Sequence, residues 1–265
     1  MKIGVVGHGK LGSLLLRRDG FFPLKCELNR IQTIEKEVNS VQPDLIVNLA
    51  GISSIEECEK NYPKAIQVNV NGTSNLHKVF GDRVLTVSSD QVFDGTSCRN
   101  NEHSTLSPIN NYGFTKVGAE AVSNINGGKI IRLSRTVSIE DDDISDFLLR
   151  MYKGEQIHVP TFIYRNYIHR QFVVDGIEYF SLNYDRIPRI VHYAGLDNYS
   201  FYNFMLLVAD EFGFDRQLVV QRREDNPSYA PRPRNGGFRV RFAKSLKFPM
   251  YSINDTVSRL FKETL

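Results

Sequence analysis

The chain has 265 residues, 41% of them apolar and 24% charged, an ordinary make-up for a soluble globular protein with a substantial core. A net charge of +3 is too small to point to nucleic acid, and no apolar run reaches the length that crosses a bilayer. Three cysteines (Cys26, Cys58 and Cys98) without CxxC spacing argue against a disulfide framework and suit a reducing cytoplasm.

Residues 2–6 form a short, wholly apolar run, the pattern of a parallel strand covered on both faces, with no signal-peptide architecture ahead of it. Gly7-His8-Gly9-Lys10-Leu11-Gly12 follows and opens a helical run to Arg18. Strands are then expected at 21–28, 44–49, 83–88 and 129–133, with helices at 33–41, 63–80 and 112–123. This alternation predicts an α/β fold, a Rossmann-like doubly wound parallel sheet with helices on both faces. The polar stretch 90–111 is long for a loop in a compact domain, which usually signals function. Beyond 134 the pattern loosens. Helices are expected at 142–152, 171–183, 200–212 and 254–264, and short strands at 156–159, 189–192 and 218–221. We read residues 1–138 as an NAD(P)-binding domain. Residues 139–265 read as mainly a smaller substrate-binding region closing over the carboxyl edge of the sheet, with return crossings to it.

Gly7, Gly9 and Gly12 match G-x-G-x-x-G between a strand and a helix. Glycines there let the backbone approach a pyrophosphate, which Lys10, Leu11 and the helix N-terminus would flank. Glu27 lies twenty residues after Gly7, where a carboxylate would bond the ribose hydroxyls of NAD. Lys10, Lys25 and Arg30 could instead accommodate the 2′-phosphate of NADP, and a merely solvated Glu27 is the competing reading. The cofactor is therefore NADP or NAD.

Tyr112 and Lys116 are four residues apart and share a helix face. A phenol is a weak acid at neutral pH, and an ammonium beside it eases the loss of its proton. Ser89 would hold a substrate oxygen at the same spot. The acidic run Glu140-Asp141-Asp142-Asp143 reads as the stabilised start of a helix rather than a cation site, and the histidines show no metal-ligand spacing. From Arg216 to Lys247 there are nine Lys and Arg against two acidic residues, a basic wall for a diphosphate or a plain solvated loop.

Asn48-Leu-Ala-Gly51, Ser88-Ser-Asp-Gln-Val-Phe-Asp-Gly95 and Tyr112-Gly-Phe-Thr-Lys116 together resemble the extended short-chain dehydrogenase/reductase superfamily. Within it they are most similar to the dTDP-4-dehydrorhamnose reductase branch, which carries a Ser-Thr-Asp-Tyr-Val-Phe-Asp-Gly-like run followed by Tyr-Gly-x-x-Lys. Arg165-Asn-Tyr-Ile-His169 resembles the Arg-Asp-Phe-Ile-His segment of related epimerases and dehydratases, and Ala230-Pro-Arg-Pro-Arg-Asn235 a C-terminal Arg-Pro-x-Asn segment. The resemblance implies an NAD(P)H-dependent reductase of a nucleotide-linked 4-keto-deoxysugar, with a homodimer left open. Tyr112 would donate a proton to the C4 carbonyl oxygen, Lys116 would bind the nicotinamide ribose, and Ser89 would complete the triad, with Ser88 as alternate. Leu49, Ala50 and Gly51 would line the cofactor, and Asp90 and Arg135 the sugar, while Arg165 and Arg232 are candidate diphosphate clamps.

Three departures qualify that resemblance. The glycine turn is one residue shorter than the usual G-x-x-G-x-x-G, Gln91 replaces a tyrosine, and Arg135 stands where a tryptophan is common. The chain has no tryptophan at all. A nucleotide-sugar epimerase and a non-catalytic NADP-binding regulatory subunit therefore remain as alternatives.

Overall fold

The computed structural model describes residues 1–224, 230–240, 246 and 248–265. Buried apolar runs build its centre. β1 (Ile3–Val6) and, after the glycine turn and α1 (Lys10–Leu15), β2 (Phe21–Pro23) lie side by side. α2 (Ile31–Val41) leads to β3 (Leu45–Asn48), which pairs with the other side of β1. Every residue of β1 and β3 is buried, as a parallel strand packed on both faces demands.

A short helix that the pattern does not announce, α3 (Ile55–Lys60), comes next. The helix expected over 63–80 then follows as one unbroken helical run, made of α4 (Tyr62–Ile66), a π-helical turn (Gln67–Asn71) and α5 (Gly72–Phe80). The Ser54 side chain accepts a hydrogen bond from Glu57 N and starts α3, while Asn61 accepts from Lys64 N and, with Pro63 in the first turn, restarts the chain as α4. The π turn swings Asn69 inward, 3% exposed. Its amide accepts from Ile52 N (2.8 Å) and donates to Ile52 O (3.0 Å) and Thr115 Oγ1 (2.9 Å).

β4 (Val84–Ser89), α6 (Asn111–Ile125) and β5 (Lys129–Leu133) continue the sheet. After β6 (Thr136–Val137), α7 (Asp142–Tyr152), β7 (Ile157–Pro160), β8 (Tyr164–Arg165), β9 (Ile168–His169) and α8 (Arg170–Leu182), the chain returns as β10 (Ile190–Tyr193) beside β5. The result is a six-stranded parallel sheet in the order β10-β5-β4-β3-β1-β2. It is the expected α/β, Rossmann-like fold, and the strand order turns back between β1 and β3, where ligands settle in such sheets.

β11 (Tyr199–Ser200), α9 (Phe201–Phe212), β12 (Val219–Arg222) and α10 (Ile253–Lys262) complete the chain. β12 pairs in parallel with β7 and β6 with β9, while β8 and β11 are antiparallel. A second apolar cluster, including Val137, Ile157, Tyr167, Phe204 and Val257, lies away from the main sheet. Among the described residues no helix is long and apolar enough to cross a membrane. The basic stretch falls partly outside the described residues, which exclude Arg241, Lys244 and Lys247.

Candidate active site

At the C-terminal ends of β1, β3, β4 and β5 lies a cleft of about 620 Å³. One wall is the glycine turn. Gly7 has φ of +91°, and a side chain there would lie 2.4 Å from the Ala50 amide nitrogen. A Cβ at Gly12 would meet the Gly7 carbonyl oxygen at 1.9 Å. These two glycines serve the tight turn and the close packing of strand and helix. Gly9 differs: a Cβ there would meet nothing within 4 Å. It keeps open a cradle beside the first turn of α1, whose N–H groups have no partners inside the helix. That cradle fits a pyrophosphate.

The opposite wall is Leu49, Ala50 and Gly51, held by a hydrogen bond from Ala50 N to Asn48 Oδ1 (3.2 Å) and, through Ile52, by Asn69. Ser89 and Asp90 close the far end from β4, and Tyr112 and Lys116 face them from α6. Asn110 caps α6 by accepting from Gly113 N at 2.8 Å, while its amide donates to Gln91 Oε1 (3.0 Å) and Pro231 O (2.9 Å). The first turn of the helix is thus locked to the loop that carries Asp90.

Burial pushes the Tyr112 phenol well above its ordinary pKa; the nearby Ser89 hydroxyl works against this, and Asp90 and Cys58 add to it. The phenol stays protonated throughout the neutral range. Burial also lowers the Lys116 ammonium to about 8, with Glu120 and Cys58 pulling the other way. Lys116 shares the cleft with Tyr112, and its Nζ donates to the Val87 carbonyl at 2.6 Å. An ammonium half-withdrawn from water takes the fixed acceptor beneath it on β4.

Of the residues singled out from the sequence, Gly7, Gly9, Lys10, Leu11, Gly12, Leu49, Ala50, Gly51, Ser89, Asp90, Tyr112, Lys116, Arg135 and Arg165 line this one cleft. Glu27 does not. Strand β2 stops at Pro23 instead of running to Leu28, so Glu27 sits in a turn, where its carboxylate pairs with Arg30 at 3.2 Å. Arg232 is also outside the lining, held by Glu56 and by the Ala230 carbonyl (3.1 Å).

Arg165 reaches the cleft with its guanidinium already engaged. Its guanidinium is 6% exposed and pairs with Asp90 at 3.1 Å, and it also donates to the Tyr164, Pro233 and Arg234 carbonyls. Asp90 in turn accepts from Gln91 Nε2 (2.9 Å) and Ser134 Oγ (3.1 Å). Arg135 remains movable, since its ion pair with Asp143 (2.7 Å) is partly exposed on both sides and such pairs are weak. The acidic run is fully engaged at its start: Glu140 and Asp141 pair with Arg170, and Asp141 also with Lys10. Ser134 and Thr136 line the cleft too, though the motifs do not single them out. Their place just past a strand end is the signal that would have found them.

Set beside known sequences, residues 4–265 match the sequence model of the RmlD substrate binding domain family. The chain belongs to that family. As an RmlD-family chain it is 25% identical over 230 residues to methionine adenosyltransferase 2 subunit beta of Danio rerio, covering 81% of this chain and 70% of that one. It is 24% identical over 256 residues to the dTDP-4-dehydrorhamnose reductase of Aggregatibacter actinomycetemcomitans, covering 85% and 84%. Its fold superposes on the Bacillus anthracis dTDP-4-dehydrorhamnose reductase solved in complex with NADP, with a TM-score of 0.88 at 19% identity over 99% of this chain and all of that one.

Proposed function

We propose that this RmlD-family chain is an NAD(P)H-dependent reductase of a nucleotide-linked 4-keto-deoxysugar. One observation carries the reading: Tyr112, Ser89 and Lys116 line the same cleft as the vacant Cβ position of Gly9. A bound dinucleotide would supply the hydride. The chain's own residues do the rest. Gly9 admits the diphosphate. Ser89 orients the substrate carbonyl oxygen, and Tyr112 gives it a proton as charge develops there. Lys116 places a cation beside that transfer and binds the ribose. Because Arg165 is tied to Asp90, the sugar-nucleotide diphosphate falls to Arg135, which can leave its exposed partner. Three cysteines without a disulfide suit a cytoplasmic setting.

The test is oxidation of NADH and NADPH, followed by absorbance, against a panel of dTDP- and UDP-linked 4-keto-deoxysugars. Stoichiometric consumption with release of oxidised cofactor supports reduction and sets aside an epimerase, which would return the hydride. The locked Arg165 favours one rival, a cofactor-binding regulatory subunit. Cofactor binding without turnover on any sugar, together with co-purification of a larger enzyme, would establish that role instead.

A further inference from the structure

Behind the cleft, α6 carries a third polar residue on the stripe that holds Tyr112 and Lys116. Glu120 lies four residues beyond Lys116, one turn on and on the same face. It is 1% exposed, and both its oxygens are used. Oε1 accepts from Ser88 Oγ (2.6 Å) and Arg132 Nε (2.9 Å), and Oε2 accepts from Arg132 Nη2 (2.7 Å). Arg132 stands on β5 opposite Ser88 in register. Its Nη1 reaches the Glu102 carbonyl (3.4 Å) and His192 Nε2 (3.2 Å).

A buried ion pair is weak evidence for stability, since desolvation offsets most of the attraction. Its placement is more telling. Ser88 lines the cleft, and the residue before it, Val87, supplies the carbonyl that holds Lys116. A carbonyl is neutral and cannot balance an ammonium. The elements packed on α6 offer few other charges. Cys58 of α3 is a neutral thiol, pushed up to about 11 by burial. Glu59 of α3 is bonded to Asn111, Glu57 pairs with Lys64, and His77 of α5 faces Ser123. Asp90 is committed to Arg165 and acts on Tyr112. Glu120, although paired with Arg132, is the carboxylate one turn from Lys116 on the same helix face, and its charge opposes the effect of burial on that ammonium. Arg132 has its own part here, because a lone buried carboxylate would take up a proton and lose its charge.

We propose that Glu120, held ionised by Arg132 and anchored by Ser88, is a positioning residue that serves as the counter-charge of the Lys116 ammonium. Its consequence for turnover rests on the reductase reading; its effect on Lys116 does not. The test uses the full chain with two readouts. One is the pH dependence of Lys116 acetylation by acetic anhydride, read by peptide mass spectrometry. The other is the pH profile of kcat with NADPH and a 4-keto sugar nucleotide. E120Q alone strands Arg132 and risks unfolding, so E120Q/R132M, which removes both charges, accompanies it, and E120D retains the carboxylate.

In E120Q/R132M the acetylation midpoint and the alkaline limb of kcat should both move down by roughly one pH unit, while E120D stays near the wild type. A folded double variant with an unchanged acetylation midpoint would overturn the proposal and leave the pair a packing feature. A shifted midpoint with no turnover even in the wild type would support the counter-charge and overturn the reductase reading alone.

Discussion

A side chain added at Gly9 would stand in open space, whereas one at Gly12 would press on the Gly7 carbonyl at 1.9 Å, so the two positions separate ligand access from folding. Gly9→Val is expected to melt like the wild type and to lose NADPH binding, read by fluorescence titration. Gly12→Ala should lower stability by about 2–4 kcal/mol through forced backbone movement, read by denaturant unfolding. Normal cofactor affinity in Gly9→Val would refute the cradle. Tyr112→Phe removes the proton donor and keeps the ring. Turnover should fall by roughly 10²–10⁴-fold with NADPH affinity nearly unchanged, and a variant that turns over normally would show that the phenol is not the acid.

Elements hold these residues through their ends more than their middles. Asn110 caps α6 and ties its first turn to Gln91 and Pro231. Asn110→Ala should cost about 1–2 kcal/mol in stability and should lower kcat more than cofactor affinity, because Tyr112 sits in the freed turn. Steady-state kinetics beside a thermal melt would check it; an unchanged kcat would mean that the helix needs no such lock. The strands were legible in the sequence because parallel strands are apolar on both faces, so Ile3–Val6 and Leu45–Asn48 could be read off directly. The glycine wall of the cleft was legible for a similar reason, since Gly7, Gly9 and Gly12 sit where strand gives way to helix. What stayed hidden depends on pairing across the chain. Nothing local to Arg165 shows that Asp90 will claim its guanidinium, and nothing in Lys116 says that Val87 will hold its ammonium. Helix α3 was readable, though: Ser54 and Glu57 have capping-box spacing ahead of it.

Over the whole molecule, the return of the chain as β10 makes the two regions interdependent. Helix α8 places Val173, Val174, Ile177 and Phe180, all fully buried, into the same core as β1, β3 and β4. We propose that 138 is no folding boundary: residues 1–138 alone should aggregate on expression, and a soluble, cooperatively melting fragment would contradict this. Acid should act on the whole fold as well. Burial first, then the Arg132 charge, lowers the His192 imidazole to about 3, and burial lowers His77 and His169 in the same direction. The unfolded chain accepts those protons near the ordinary value of 6.5, and the folded one accepts each of them only at lower pH, His192 near 3. Stability is then complete above about pH 6.5 and falls as pH drops toward 3. Thermal melts from pH 8 to 4 should show this decline, with a shallower slope in His192→Gln; a flat profile would exclude the effect.

The π turn at Gln67–Asn71 gives the chain a phase as well as a shape. A surplus residue in a helix is worth about 100° of rotation, and here that rotation aims Asn69 at Ile52 and Thr115 together. Deleting one residue from the turn would yield a more regular helix whose amide looks elsewhere. The wall beside Gly51 and the flank of α6 would then lose their shared pin. A bulge that looks like an imperfection is therefore the gauge that sets the spacing between the Gly51 wall and α6.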